Sequence, residues 1–133
     1  MRSIISSINA NYCSLEHNLY VVDAYTSLTY IFSMVGRFEW DEEKRDLNVE
    51  KHGLDFIDAV HVFDDPDRVE RRDERKNYDE VRLQTIGKIS VGDMTPIVLV
   101  VHTDRKEKIR IISARVAHSK ERRIYEEKQN ELE

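Results

Sequence analysis

Two groups of residues in this sequence are of types that could carry chemistry. The first is a set of three arginines, Arg105, Arg110 and Arg115, which fall within eleven residues of the chain. A guanidinium stays charged and can donate two parallel hydrogen bonds to one phosphate, so such a set suits the binding of a phosphodiester. On residue type alone, surface arginines more commonly pair with carboxylates at little energetic gain, and both interpretations stay open.

The second group is Lys51 and His52, which directly precede Gly53. Histidine is the side chain whose ordinary pKa lies near neutrality. His52 is therefore the first candidate for a general base, with Lys51 as a phosphate ligand or a substitute base. The alternative is that both side chains offset the negative end of a helix dipole, as cations near a helix C-terminus commonly do.

The composition is that of one ordinary globular domain. The 133 residues are 40% apolar and 35% charged, which excludes a disordered polyampholyte, and no apolar run approaches the roughly 18 to 20 residues that span a bilayer. The lone Cys13 can form no internal disulfide, which fits a reducing cytoplasm, and the histidines lack metal-ligand spacing. We therefore predict no metal, no other cofactor and no membrane association. The net charge of −5 counts against nucleic-acid binding, although a basic face can coexist with acidic helices.

The first 36 residues differ from the rest of the chain. Their only charged side chains are Arg2, Glu16 and Asp23, whereas charged residues are dense from Arg37 onward. We expect the folded domain to span residues 37–133 and residues 1–36 to be an N-terminal extension. Met34 is a candidate for the native start, which would make the residues ahead of it an appendage or translated upstream sequence.

From Phe38 onward the sequence pattern predicts two helices, four strands and a final helix. Asp41 and Gly53 are the start and stop signals of the first helix, and Asp55 caps a second with helical spacing of its apolar residues. Ser119 is the candidate cap of the last helix. The strands are predicted at residues 68–73, 81–90, 97–101 and 108–114, with turns at 91–94 and 104–107. Such short connections imply an antiparallel meander, in which the 97–101 strand, apolar on both faces, is central.

A series of short motifs follows these elements in a fixed order. It consists of FEWD at 38–41, Asn48, KHG at 51–53, Phe56, Ala59, Phe63, Pro66, DEVR at 79–82, Gly87, TDR at 103–105, RIISAR at 110–115, Glu121 and Tyr125. In this ordered combination the chain resembles the BrnT family of toxins over Phe38 to Glu127. One departure is His102, where the family pattern has an aromatic residue before the threonine.

The resemblance implies a RelE-like α+β fold, an antiparallel sheet of about four strands with two N-terminal helices and a C-terminal helix. It also implies a toxin of a type II toxin–antitoxin system, a metal-independent endoribonuclease of the cytoplasm that inhibits translation. The expected partners are RNA and a BrnA-like ribbon-helix-helix antitoxin, which alone would connect the toxin to DNA. RNA cleavage without a metal needs a base that takes the proton of the 2′-hydroxyl and an acid that protonates the departing 5′-oxygen. It also needs cations that stabilise the negative charge of the phosphorane. The expected catalytic residues are His52, Lys51, Arg105, Arg110 and Arg115, and the expected substrate-binding residues are Arg82, Thr103 and Ser113.

Strand alternation predicts the sheet face on which these side chains lie. Thr103 and Arg105 share one face, whereas His102 points to the other and is interpreted as structural or exposed rather than catalytic. Strict alternation separates Arg110 from Arg115, so the two can meet only if a β-bulge intervenes or Arg115 lies beyond the strand. We expect the second, and we expect the three arginines to converge on one scissile phosphate.

Two other functions fit the same sequence. One is a non-catalytic RNA- or partner-binding domain on the same scaffold, a degenerate toxin, which the acidic net charge favours. The other is a pure interaction protein, which would cause no growth arrest when expressed alone. Convergence of the three arginines would favour the nuclease, whereas arginines on unrelated surfaces, each paired with a carboxylate, would exclude it.

Overall fold

A computed structural model describes residues 36–131 of the chain. The predicted N-terminal extension, apart from Gly36, therefore lies outside the described residues, as does the candidate start Met34. Within the described range no helix is long and apolar enough to cross a membrane.

Within the part of the chain that the structure describes, a five-stranded sheet forms the centre of the fold. Its strands are β1 (Phe38–Glu39), β2 (Val69–Arg72), β3 (Leu83–Lys88), β4 (Ile97–Arg105) and β5 (Lys108–Val116), in the spatial order β1-β5-β4-β3-β2. The predicted antiparallel meander is confirmed for β2 to β5, and β4 is the central strand. The expected number of four strands is wrong because β1, whose two residues are too few for a periodic pattern, pairs in parallel with β5. The sheet is therefore mixed.

Three α-helices and one 3-10 helix whose bounds lie within residues 36–131 complete the α+β fold. They are α1 (Glu42–His52), α2 (Phe56–Ala59), the 3-10 helix (Val60–Asp64) and α3 (Ser119–Glu131). The predicted second helix is thus α-helical only in its first turn. The predicted caps of the first two helices are confirmed: Asp41 accepts hydrogen bonds from two backbone N–H groups, Asp55 accepts one, and Gly53 ends α1 with φ at 69°. Ser119 is the first residue of α3 rather than its cap, since the His118 carbonyl accepts the first helical hydrogen bond.

The two faces of the sheet pack against different helices. On one face α2 and the 3-10 helix cover the larger core, which includes Val98 and Val100 of β4. On the other face, here called the α3 face, Leu99 and Val101 pack against Tyr125 of α3. Helix α3 lies over β2 and β3, so the side chains of β5 on the α3 face stay partly exposed. This exposed half carries the arginines that the sequence singled out.

Candidate functional site

A β-bulge puts Arg110 and Arg115 on the same face of the sheet. Arg110 lies opposite Thr103, the register then shifts by one residue, and Arg115 lies opposite Leu99. Directly opposite residues of an antiparallel pair share a face, so both arginines lie on the α3 face. The expectation that Arg115 lies beyond the strand is wrong, because β5 continues to Val116. The bulge, the alternative that we did not favour, is what brings the two arginines together.

The three arginines form a row along the α3 face. Arg105 stands six residues from Leu99, the partner of Arg115, which corresponds to about 20 Å along a strand. Because side chains stand roughly perpendicular to a sheet, the two ends of this row do not meet at one phosphate. Arg110 lies between them. The structure therefore brings the arginines to one surface but does not make them converge on a single point.

A carboxylate pairs with each arginine of the row. The contacts are Arg105 Nη2 to Glu80 Oε2 at 3.4 Å, Arg110 Nη1 to Glu39 Oε2 at 2.9 Å, and Arg115 Nη1 and Nη2 to the two Glu121 oxygens at 2.8 Å each. A nuclease would be excluded if the arginines lay on unrelated surfaces and each were paired with a carboxylate. The structure shows the carboxylate pairing, but the three arginines lie on the same surface.

The most buried of these pairs is that of Arg115 and Glu121, whose side chains are 19% and 11% exposed. The hydrogen bonds from Arg115 lower the pKa of Glu121 to about 2. Glu121 also accepts a 2.7 Å hydrogen bond from the backbone N–H of His118, which satisfies a free donor at the start of α3. Arg115 therefore attaches the first turn of α3 to β5, and its guanidinium is largely committed to that task.

The guanidinium of Arg110 makes fewer hydrogen bonds within the described residues than that of Arg115. Its one side-chain hydrogen bond within the described residues goes from Nη1 to Glu39, and its side chain is 27% exposed. Glu39 belongs to β1 and lies directly opposite Arg110 in the β1–β5 register. The unpredicted strand β1 thus supplies the carboxylate that holds Arg110 in place, while the remaining guanidinium donors can serve a ligand.

The C-terminus of α1 lies close to the Arg115 end of the row. Asn48 of α1 attaches the helix to β5, donating to the Ala114 carbonyl at 2.7 Å and accepting from its N–H at 3.1 Å. Burial lowers the pKa of His52, and the positive charges of Lys51, Arg115 and His118 lower it further. His52 is therefore neutral at pH 7 and able to accept a proton. Lys51 and His52 also form the basic last turn of α1. The alternative interpretation, that the two side chains offset the negative end of the helix dipole, therefore stays open.

Of the expected substrate-binding residues, Thr103 is fully occupied inside the fold. Its buried hydroxyl donates a 2.7 Å hydrogen bond to the Val81 carbonyl and so holds the β2–β3 loop against β4. Ser113 lies opposite Val101 on the α3 face, between Arg110 and Arg115, and is partly exposed.

Arg82 lies at the far end of the row, in the β2–β3 loop. Its guanidinium carbon is 4.1 Å from the centre of the Tyr78 ring, and its Nε is 3.5 Å from Glu80. No role was predicted for Tyr78, Glu39 or Glu80, although Glu39 and Glu80 lie within the FEWD and DEVR motifs. Glu121 was likewise a motif residue of the resemblance without a predicted role.

His102 is a core residue on the opposite face, as strand alternation predicted. Its ring is 1% exposed, lies edge-on to Phe63 with centroids 4.9 Å apart, and places Nε2 2.7 Å from the Thr85 hydroxyl. Burial lowers the pKa of this histidine. The imidazole thus packs where the family pattern has an aromatic ring.

The structure defines a small α+β protein with a row of arginines on one partly open sheet face. A family model described as the ribonuclease toxin BrnT of type II toxin–antitoxin systems matches residues 40–121, and the chain belongs to this family. A comparison with curated proteins found no significant match. Residues 36–131 contain no group of three or more histidine, cysteine or acidic side chains that could hold a metal ion.

Proposed function

We propose that this protein is the toxin of a type II toxin–antitoxin pair and that it cleaves RNA at the α3 face without a metal ion. The observation that carries the proposal is the bulge, which brings Arg110, Ser113 and Arg115 to one partly exposed surface. At the Arg115 end of this surface, the charge of Arg115 reaches His52. The family match supports the same activity. In this proposal the fold is RelE-like, and the toxin acts in the cytoplasm by arresting translation.

Each group then has a distinct task. Arg110 binds the scissile phosphate, where a guanidinium can stabilise the charge that develops on the phosphorane. His52, neutral at pH 7, accepts the proton of the 2′-hydroxyl. The 2′-oxygen bonds to phosphorus and the bond from phosphorus to the 5′-oxygen breaks. The leaving 5′-oxygen takes a proton from water, and a 2′,3′-cyclic phosphate remains. Lys51 is close enough for its charge to affect His52, and it serves as a phosphate ligand.

The remaining predicted residues support this centre. Arg115 positions α3 and contributes positive potential, whereas Arg105 and Arg82 contact RNA away from the scissile bond. RNA must compete with Glu39 for Arg110, and this exchange costs little because partly exposed ion pairs contribute about 0 to 1 kcal/mol. A ribbon-helix-helix antitoxin is the proposed protein partner, and the toxin contacts DNA only through it.

Cleavage of a defined single-stranded RNA in EDTA tests this function. Arg110→Ala should reduce the cleavage rate by about 100-fold or more, as loss of one transition-state donor commonly does, and His52→Gln should also abolish cleavage. Arg123→Ala, which removes the same charge from an exposed position of α3, should stay within a few-fold of the parent. Replacing the reacting 2′-hydroxyl by hydrogen should stop cleavage. Cleavage of the 2′-deoxy substrate, or full activity of Arg110→Ala, would contradict the mechanism.

A second function, RNA binding without cleavage, is favoured by one observation, the carboxylate on each arginine of the row. The same experiment separates the two functions. Salt-sensitive binding of RNA with no cleavage by the unmodified protein would establish the binding function instead.

A further inference from the structure

A cavity of about 240 Å³ opens in the β2–β3 loop, at the Arg105 end of the row. Its lining carries three cations and three anions, which are Arg72, Lys76, Arg82, Asp73, Glu74 and Glu80. Because these charges balance, the lining does not favour a phosphate. The volume is below the range typical of drug-sized ligands, so the cavity suits a small polar group.

Tyr78 and Arg82 give this cavity a stacking wall. The guanidinium lies over the ring at 4.1 Å, an arrangement in which both groups present flat surfaces. The ring is held from its edge, because the Tyr78 hydroxyl donates to Asp73 at 3.4 Å. Asp73 is itself buried and accepts two hydrogen bonds from the Arg75 side chain, at 2.8 and 2.7 Å, and one from the Arg75 backbone N–H at 3.2 Å. The wall is therefore preorganised before any ligand arrives.

Hydrogen-bonding groups also line the cavity. Arg82 Nε is buried and has no hydrogen-bond partner among the described residues, its nearest carboxylate oxygen being Glu80 at 3.5 Å. The Asn77 amide and the Glu80 carboxylate supply further donors and acceptors. A planar ligand with polar edges would find hydrogen-bond partners at Asn77 and Glu80, whereas an apolar ligand would leave them unpaired.

The cavity is connected to the row of arginines through Glu80. One oxygen of this carboxylate faces Arg82 at 3.5 Å and the other faces Arg105 at 3.4 Å. The Val81 carbonyl, in the same wall, is hydrogen-bonded to Thr103 of β4. An RNA strand with one phosphate on Arg105 would therefore have the adjacent nucleotide beside the cavity.

We propose that this cavity is a nucleobase subsite, in which one unpaired base of single-stranded RNA stacks on the Tyr78–Arg82 wall while Arg105 binds the adjacent phosphate. The inference rests on the proposed function, because it assumes that RNA lies along the α3 face. Stacking tolerates any base, so the site contributes affinity and fixes the position of the strand relative to Arg110.

Binding of two 2′-O-methyl octanucleotides, which cannot be cleaved by 2′-hydroxyl attack, tests the subsite. One carries eight adenines, and the other has the same backbone and phosphates without bases. The parent protein should bind the adenine oligomer about 5- to 100-fold more tightly, as expected for one stacked base. Tyr78→Ala should bring this ratio close to one while the salt dependence of binding stays unchanged.

Two control variants separate stacking from a loss of structure. Tyr78→Phe keeps the ring and loses the hydroxyl, and it should retain the ratio between the affinities for the two oligomers. Met94→Ala alters an exposed residue in the β3–β4 connection, at the opposite end of the sheet, and should also retain it. A ratio near one in the parent, binding of neither oligomer, or a ratio unaffected by Tyr78→Ala would overturn the proposal.

Cleavage of unmodified RNA, measured in parallel, distinguishes the two proposals. Cleavage combined with a ratio near one overturns the base subsite alone. A ratio that depends on Tyr78 without any cleavage supports the subsite and overturns the ribonuclease function.

Discussion

At the scale of single residues, Arg110 and Glu39 form the contact that RNA must share or displace. Both side chains are about a third exposed, and a single 2.9 Å hydrogen bond joins them. Such a pair orients the guanidinium without adding much stability. Glu39 therefore competes with RNA for Arg110 while it keeps Arg110 extended over the α3 face.

Removing this competitor should strengthen RNA binding. We expect Glu39→Gln, which keeps the size of the side chain and loses its charge, to bind a 2′-O-methyl RNA about two- to fivefold more tightly, the equivalent of a partly exposed ion pair. The measurement is the dissociation constant at fixed salt. Glu126→Gln makes the same change in net charge at an exposed position of α3 and should have less effect. An equal gain in both variants would show that only overall charge matters.

At the scale of secondary structure, Asn48 connects α1 to β5 in place of a neighbouring strand. Beyond the two residues that pair with β1, the outer edge of β5 has backbone groups that need partners. Asn48 supplies them at Ala114 and also donates to the Leu54 carbonyl at 2.8 Å. This one amide therefore fixes where α1 ends and where it places His52.

Replacing this amide should be costly. Asn48→Ala leaves three buried backbone groups without a partner, and we expect a loss of about 3 kcal/mol or more in the free energy of unfolding. Asn48→Asp, nearly identical in shape, cannot donate to the two carbonyls when ionised and should be similarly destabilised. Urea unfolding measures both changes. A stable Asn48→Asp protein would show that shape, and not hydrogen bonding, attaches the helix.

Gly87 lets the 3-10 helix pack closely on β3. A Cβ at this position would lie 2.8 Å from Val62 Cγ2, and Asp65 and Arg68 are also within 3.2 Å. Val62 is β-branched and buried, so it cannot move aside easily. We expect Gly87→Ala to lower the free energy of unfolding by about 1 to 3 kcal/mol through overpacking. Gly36→Ala, at a position where no atom of the described residues lies within 4 Å of an added Cβ, is the matched control and should lose no stability.

At the scale of the whole molecule, two buried groups oppose each other in their response to pH. Burial raises the pKa of Asp58 to about 7, and its Oδ2 has no hydrogen-bond partner among the described residues. The carboxyl group of Asp58 therefore binds its proton more tightly in the folded protein than in the unfolded chain. As a result, the free energy of unfolding falls as pH rises from about 4 through 7. Burial lowers the pKa of His102, so its contribution is lost as pH falls below 6.5.

Asp58→Asn isolates the first of these effects. The amide cannot ionise, so we expect the variant to gain stability relative to the parent at pH 8 and to gain clearly less at pH 5, where Asp58 is still protonated in the folded protein and only part of the penalty has developed. Urea unfolding at both pH values provides the measurement. Asp46→Asn, at an exposed position of α1, should show no such dependence on pH. A difference between Asp58→Asn and the parent that is equal at the two pH values would contradict the burial argument.

The sequence alone determined those features that depend on neighbouring residues. Asp41, Gly53 and Asp55 end or begin helices through contacts within a few residues, and the apolar run of β4 marks the central strand by its composition. The motif order was sufficient to indicate the family, since it is a property of the chain itself. Strand alternation also placed His102 correctly on the face opposite that of Thr103, because no irregularity lies between the two residues.

Only the tertiary structure decided the geometry of the candidate site. The bulge in β5 reverses the alternation beyond it, and no local pattern distinguishes a bulge from an early strand end. Strand β1 forms because Phe38 and Glu39 meet residues more than 70 positions away, where hydrogen bonds and core packing stabilise what two residues cannot form alone. The carboxylate partners of Arg110 and Arg105 are likewise distant in sequence. Long-range contacts of this kind decide which charges meet, and spacing along the chain carries no information about them.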